Sequence, residues 1–398
     1  MDDRHASGGV TVPITALSTY QPAWTDARGL RVPGPDEDVT TLAVAAATGL
    51  GPEALRRVRR IVLVTRRPDA TLGTLPEVVL EALGLDPATP VEERLGGAPA
   101  TLEALLSVPD GTVVIGIDPA APAAAAAALT GAGGVVLDPD AVVRHSVPVR
   151  THGAGDAADR VYDDPRLLRE RGWRRAVPGD AAVVAGIPEK DVAKLVPGAH
   201  GVTDAVEAAA PLFALARITG PGVLTAVENG HGVSARVTPS GPVAWTASTR
   251  DPRPAPPSWA PRTPAEIPAS PASYERALAA KVGLRAGQCR ECGERSHPPR
   301  ARCLRCGALD TQDLVALPRT AEVYSVVTVR AAVPGRYGPY SLAVVDLDGT
   351  GLRTLAHVTD AEAGSTRIGD RGDLVLRRVA VRAGVPDYGY AFRPEEQP

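Results

Sequence analysis

The chain has 398 residues, 44% of them apolar, enough for two or three domains with full hydrophobic cores. A formal net charge of −3 excludes the global electrostatic bias of a protein that binds nucleic acid or anionic membrane through charge alone. The start, MDDRHASGGV, is acidic and never reaches an apolar core segment, so no signal peptide is expected and the chain reads as cytoplasmic.

In chain order, Asp36 or Asp38 can cap a helix through VTTLAVAAATGL. RRIVLVT (59–65) is a buried-strand run, followed by helical patterns in LPEVVLEALGL and ATLEALLSV and by a second buried strand, GTVVIGID (111–118). The uncharged window 119–137 is long enough to raise a membrane span, but prolines and glycines interrupt it. It reads as a soluble alanine-rich helix turning into a short strand, GGVVL. Strand DAAVVAG (180–186), helices in EKDVAKLV and DAVEAAAPLFALARI, and strands in VLTAVENGHGVSARV and GPVAWTAS follow. Apolar strands alternating with helices predict a layered α/β domain over 1–250.

Residues 251–273, DPRPAPPSWAPRTPAEIPASPAS, carry proline at nearly every second or third position. Proline fixes φ and lacks an amide donor, so this segment is expected to be an extended linker. A helix in YERALAAKVGL and a cysteine segment occupy 274–310. Residues 311–398 contain five short β runs punctuated by turn chemistry, the pattern of a small all-β barrel of OB type.

The cysteine segment, QCRECGERSHPPRARCLRCG, is the strongest chemical signal. Cys289, Cys292, Cys303 and Cys306 form two CxxC pairs, each followed by a glycine. Two such knuckles supply a closed four-sulfur site, which suits structural zinc, although iron would fit the same sulfurs. His297 lies between the knuckles and is surplus to that set. Arg300, Arg302 and Arg305 are candidates for meeting phosphates, or are a solvated face beside the thiolates. A zinc ribbon with an OB barrel also raises nucleic-acid binding. Residues 274–398 hold 18 Lys and Arg against 15 Asp and Glu, and no interleaved basic and aromatic stripe, which argues against it. His231, in the bend ENGHG, reads either as a turn residue or as an acid–base group.

The segment from KVGLRAGQCRECGERSHPPRARCLRCGA to YGYAFRP resembles the acyl-CoA-associated family with a rubredoxin-like zinc ribbon and an OB-fold, domain of unknown function family 35. That resemblance covers about 274–398. It implies association with thiolase-fold proteins and a part in guiding acyl-CoA. Residues 10–250 resemble a shortened thiolase fold of the hydroxymethylglutaryl-CoA synthase type, through PDEDVTTLAVAAATGL, GTVVIGIDPA, GAGGVVL, AAAPLFALARI and VLTAVENGHG. The family's catalytic cysteine region reads ERLGGAPATLEALL here, with Gly96 and Gly97 where the nucleophile would stand. Its histidine region carries Ala185 or Gly186, and its asparagine region offers Asp204. Covalent thioester chemistry of this type needs a thiolate, and all four cysteines are committed to metal.

The expectation is therefore a pseudoenzyme or accessory subunit partnered with a thiolase-fold or ketosynthase enzyme, or a homodimer through the thiolase-like domain. Its substrates would be acyl-CoA or acyl-carrier thioesters, with no membrane role. The alternative is a cysteine-independent acyl-CoA aldolase or acyltransferase, for which His231 and Asp204 are the candidate acid–base residues.

Overall fold

The computed structural model describes residues 10–68, 76–145, 150–151, 160–161, 164–255, 270–331, 338–382 and 385–396. Contacts group the chain into two compact units, Met1–Pro22 with Ala46–Thr74 and Thr89–Thr249, and Ala23–Ala45 with Leu75–Ala88 and Arg250–Pro398. The units thus interleave in sequence. Segments 23–45 and 75–88, which a linear reading assigns to the first domain, group with the C-terminal half.

The first unit is built on one continuous sheet. Its first five strands are β1 (Val12–Gln21), β2 (Arg60–Thr65), β3 (Val91–Leu95), β4 (Thr112–Asp118) and β5 (Ala124–Thr130). They lie in the order β3-β2-β4-β5-β1, the first two pairings parallel and the last two antiparallel. The next five are β6 (Val135–Arg144), β7 (Ala181–Ala185), β8 (His200–Gly201), β9 (Gly222–Glu228) and β10 (His231–Pro239). They lie in the order β8-β7-β9-β10-β6 with the same succession of parallel and antiparallel pairs. The unit is therefore an internal duplication. Its two leaves join where Val12–Ile14 of β1 pairs with Val135–Leu137 of β6. A further strand, β11 (Ala244–Thr249), runs parallel along β1.

Each leaf contributes one buried helix, α3 (Ala98–Ser107) and α6 (Ala210–Arg217), numbered after α1 (Val39–Thr48), α2 (Pro76–Leu83), α4 (165–176) and α5 (Glu189–Leu195). Both α3 and α6 contact strands of both leaves as well as each other. Apolar residues all round them are the consequence: Leu102, Ala104 and Leu105 of α3 and Ala210, Leu212 and Ala214 of α6 are fully buried in one core. Two leaves enclosing paired helices make the layered α/β domain that the sequence predicts.

The alanine-rich stretch is not a helix. Residues 124–130 form β5, buried on both faces and hydrogen-bonded along both edges, to β1 and to β4. Tertiary pairing overrides alanine's helix propensity, and small side chains let the covering layer come close. On the neighbouring β4 the approach is close at Gly116, where a Cβ would stand 2.2 Å from the carbonyl oxygen of Ala208. The helix expected across DAVEAAAPLFALARI is confined to its second half, Ala210–Arg217.

In the second unit, Asp38 rather than Asp36 caps α1: its carboxylate accepts the amide of Thr41 at 2.9 Å, and the Thr41 hydroxyl accepts the amide of Asp38 at 2.7 Å. Of the proline-rich segment, 256–269 lies outside the described residues, and Arg253–Pro254 pairs with Trp24–Thr25. Helix α7 (Pro271–Lys281) begins slightly earlier than the sequence pattern indicates. Strands β12 (Arg285–Cys289) and β13 (Gln312–Ala316) frame the cysteine knuckles.

The barrel comprises β14 (Thr320–Val329), β15 (Tyr340–Leu347), β16 (Arg353–His357), β17 (Arg371–Arg382) and β18 (Val385–Pro394), ordered β16-β15-β14-β17-β18. A bridge between Val358 and Phe392 links the two ends of that order. Ala321, Val323, Ala343, Val345, Leu374 and Phe392 fill its interior. Among the described residues, no helix is long and apolar enough to cross a membrane.

Candidate functional site

The four cysteines converge. Their sulfur atoms all lie within 4.8 Å of one another, with Cys289 to Cys306 at 3.7 Å and Cys292 to Cys303 at 3.5 Å. Sulfurs about 2.3 Å from a central tetrahedral ion would be separated by roughly these distances, so the set fits zinc without rearrangement. Each knuckle turns through a glycine with positive φ, Gly293 at 73° and Gly307 at 77°. The amides of Gly293 and Gly307 donate to the carbonyls of Cys289 and Cys303 and close the turns.

The Thr311 hydroxyl, 3.4 Å from Cys289, and the knuckle amides of Cys292 and Glu291 hold the Cys289 thiol down to about 6. Backbone amides of Cys306 and Arg305 lower Cys303 likewise. Cys292 is pushed up to about 12, the Glu294 amide notwithstanding, by burial and the neighbouring sulfurs. Four clustered thiolates call for a cation to offset them, and four protein sulfurs leave that ion no open position for substrate. His297 is not a ligand of this set; its Nδ1 lies 3.1 Å from the carbonyl of Arg285.

The arginines around the ribbon differ in their partners. Arg285 pairs with Glu81, Arg290 with Asp313, and Arg302 donates to the carbonyl of Gly307. Arg300 and Arg305 are exposed and make no ion pair among the described residues.

In the first unit the glycines at the expected nucleophile position lie at the N-terminus of α3. The amide of Gly97 donates to Glu228 Oε2 at 3.0 Å, and a Cβ on Gly97 would meet that same oxygen at 2.8 Å. A carboxylate from the end of β9 therefore fills the space into which a nucleophilic side chain would project, favoured there by the helix dipole. Arg66 Nε pairs with the other Glu228 oxygen at 2.9 Å, and Arg67 pairs with Glu207 at 3.1 Å.

At the expected histidine position, Gly186 has φ of 98°, and a Cβ there would lie 2.1 Å from the carbonyl oxygen of Val227. No side chain fits. Asp204, at the expected asparagine position, is tied to Arg217.

The duplication places a second carboxylate in the equivalent place. Asp118 ends β4 as Glu228 ends β9, and it accepts the amides of Val206, Glu207 and Ala209 at 3.1, 2.9 and 3.0 Å, at the entry to α6. Burial pushes the Asp118 carboxyl up to about 7 despite those three amides. Each leaf thus ends a strand in an acid that caps the buried helix of the other leaf. Sequence reasoning missed this pair. The signal was present as two seven-residue apolar strands, TVVIGID and GVLTAVE, each closing on an acid.

His231 lies outside that constellation. Its Nε2 is 3.3 Å from Glu103 Oε1 without hydrogen-bond alignment, and Glu103 also pairs with Arg144. The imidazole beside Glu103 holds its carboxyl below the usual range. His231 and Asp204 have separate partners, Glu103 and Arg217, and no hydrogen bond or ion pair joins them among the described residues.

Residues 279–312 match the family model of the ChsH2 rubredoxin-like zinc ribbon domain, and residues 314–377 that of the ChsH2 C-terminal OB-fold domain. A DUF35 domain-containing scaffold protein of Methanothermobacter thermautotrophicus is 29% identical over 125 residues, 30% of this chain and 92% of that protein. A solved chain of the Ltp2-ChsH2(DUF35) aldolase is 25% identical, covering 30% of this chain and 90% of its own, with a TM-score of 0.26. The 3-oxoacyl-(acyl carrier protein) synthase III of Pseudomonas aeruginosa is 18% identical, covering 59% and 99% of the two chains, with a TM-score of 0.44.

Proposed function

We propose that this chain is a non-catalytic thiolase-like subunit that supports a partner thiolase-fold or ketosynthase enzyme acting on acyl-CoA or acyl-carrier thioesters. The observation that carries this reading is the Glu228 carboxylate seated where a nucleophile would project from α3, beside a Gly186 that tolerates no side chain. A carboxylate held by an amide and a guanidinium is a poor acyl acceptor, and no thiol remains outside the zinc ribbon to replace it.

The ribbon and barrel support the same reading through the relative named as a scaffold protein, and zinc is their structural ion. Coenzyme A thioesters then belong to the assembly, with Arg300 and Arg305 free to meet their phosphates. The protein works in the cytoplasm on this reading, where the thiols stay reduced.

Gentle purification from the native host should recover a cysteine-bearing thiolase-fold partner. Thioester turnover by that pair should be abolished by removing the partner's cysteine and unchanged by His231→Ala in this chain. The second reading, a cysteine-independent aldolase, draws on the His231–Glu103 pair as an acid–base group. Cleavage of β-hydroxyacyl-CoA by the isolated chain, lost in His231→Ala, would replace the first reading with this one.

A further inference from the structure

The second unit holds a cavity of about 300 Å³, within the range of small-ligand sites. Every residue that lines it belongs to that unit. Trp24, itself 4% exposed, and Tyr340 at the start of β15 give it aromatic surface. Its charged groups are three acids, Asp36, Asp360 and Glu362, and no lysine or arginine stands in the lining.

Behind that lining, Arg377 is shared by Asp360 at 2.9 Å, Glu37 at 3.2 Å and Asp36 at 3.9 Å. Asp360 and Glu37 are within hydrogen-bond reach of it, and Glu37 also accepts the amide of Gly34 at 2.8 Å. Asp36 is not, because 3.9 Å is too long for a hydrogen bond. Glu362 is exposed and makes no ion pair among the described residues. Arg253 reaches only the carbonyl of Asp360, at 3.4 Å, and its carboxylate partner is Glu396 at 3.6 Å. Burial, reinforced by Asp360 and partly offset by Arg377, pushes the Asp36 carboxyl above the ordinary aspartate range. One guanidinium against this many acids leaves the cavity short of positive charge, which is costly where carboxylates are buried.

The donor set does not suit a metal ion. Among the described residues, the four ribbon cysteines are the one group of three or more His, Cys, Asp or Glu side chains that converges closely enough to ligate one. Carboxylates beside aromatic rings suit instead a cation that carries an apolar body.

We propose that this cavity binds a small organic cation, an alkylammonium or alkylguanidinium, whose head meets Asp36 and whose stem lies against Trp24 and Tyr340. The inference goes beyond the partner reading above and does not depend on it. The same acids repel the phosphates of coenzyme A, so this cavity is separate from any thioester site. A free amine or guanidine and the lysine or arginine side chain of another polypeptide present the same head.

The test is calorimetric titration of the full-length, zinc-loaded chain with n-butylguanidinium and n-butylammonium chloride at constant ionic strength. Both should bind saturably at one site, whereas butanol and butyrate should not. Asp36→Asn should weaken binding at least about tenfold, as expected for losing a largely buried charge partner. Glu362→Gln, at an exposed position, should weaken it about threefold and guards against misfolding of the Asp36 variant. Glu275→Gln, exposed on α7 outside the cavity, should leave it unchanged.

N-acetylargininamide, which carries the same head on a peptide backbone, separates the two sources. Binding tighter than that of butylguanidinium assigns the cavity to a polypeptide side chain, and weaker binding assigns it to a free amine or guanidine. No saturable binding of either butyl cation, equal heats from butanol, equal weakening in Glu275→Gln, or binding that Asp36→Asn and Glu362→Gln both leave intact would each overturn the proposal. So would magnesium ion that competes for the same two acids.

Discussion

Gly97 and Gly186 show how a single missing side chain can be enforced by its surroundings. At Gly186, positive φ and the Val227 carbonyl act together, so Gly186→Ala should cost about 2–4 kcal/mol in denaturant unfolding. Gly97→Cys should not yield a reactive thiol, because the new side chain must displace the Glu228 carboxylate. Iodoacetamide labelling of that variant should be no faster than in Gly97→Cys/Glu228→Ala, where the space is open. At the other end of the chain, Cys303→Ser removes one of four zinc ligands. Isolated zinc modules draw on the order of 10 kcal/mol of folding free energy from the ion. The variant should lose the bound zinc in elemental analysis and unfold the ribbon, while near-UV signals from the first unit persist. The glycines were legible as an absence of chemistry in the sequence; that a carboxylate and a carbonyl fill the vacated space was not, because the filling groups come from β9, about 130 and 40 residues away along the chain.

The elements of the first unit repeat, and their ends carry the electrostatics. Asp118 and Glu228 each close a seven-residue strand and cap the buried helix of the opposite leaf, which ties the two leaves together through charge–dipole contacts. Asp118 carries a testable consequence. Its folded-state pKa is raised to about 7, so the folded protein binds this proton more tightly than the unfolded chain does. The associated stability is fully present below the ordinary aspartate range and is lost as the pH rises through about 7. Unfolding free energy of the wild type relative to Asp118→Asn should therefore increase as pH falls from about 8 to 5. A constant difference would mean that the three amides keep the carboxylate ionised throughout. Periodicity located most helices and strands, including β2, β4, β7, β9 and every barrel strand. It failed at β5, where a run of alanines has strong helix propensity but no pattern that distinguishes burial on both faces of a sheet.

At the scale of the whole molecule, the two compact units are not the two halves of the sequence. Arg377, on β17, is 1% exposed and meets Asp360 at 2.9 Å and Glu37 at 3.2 Å, with Asp36 at 3.9 Å. This buried cluster fastens segment 34–38 to the barrel, supported by the Tyr388 hydroxyl donating to Asp38 at 2.9 Å. Arg377→Met would strand buried carboxylates without a counter-charge, and should cost about 3–5 kcal/mol in unfolding of the second unit. A variant replacing the whole cluster with apolar residues should recover much of that loss. The sequence by itself determined the set of four cysteines, the succession of α/β, ribbon and barrel, and the absence of any cysteine outside the ribbon. Those properties depend on residue identity and local spacing, which a chain displays openly. Only the tertiary structure decided that the first unit is duplicated, that Glu228 occupies the space in front of Gly97, and that segments 23–45 and 75–88 group with the C-terminal half. Each of these is set by contacts between residues far apart in the chain, where burial and charge compensation outweigh the local preferences a sequence pattern records.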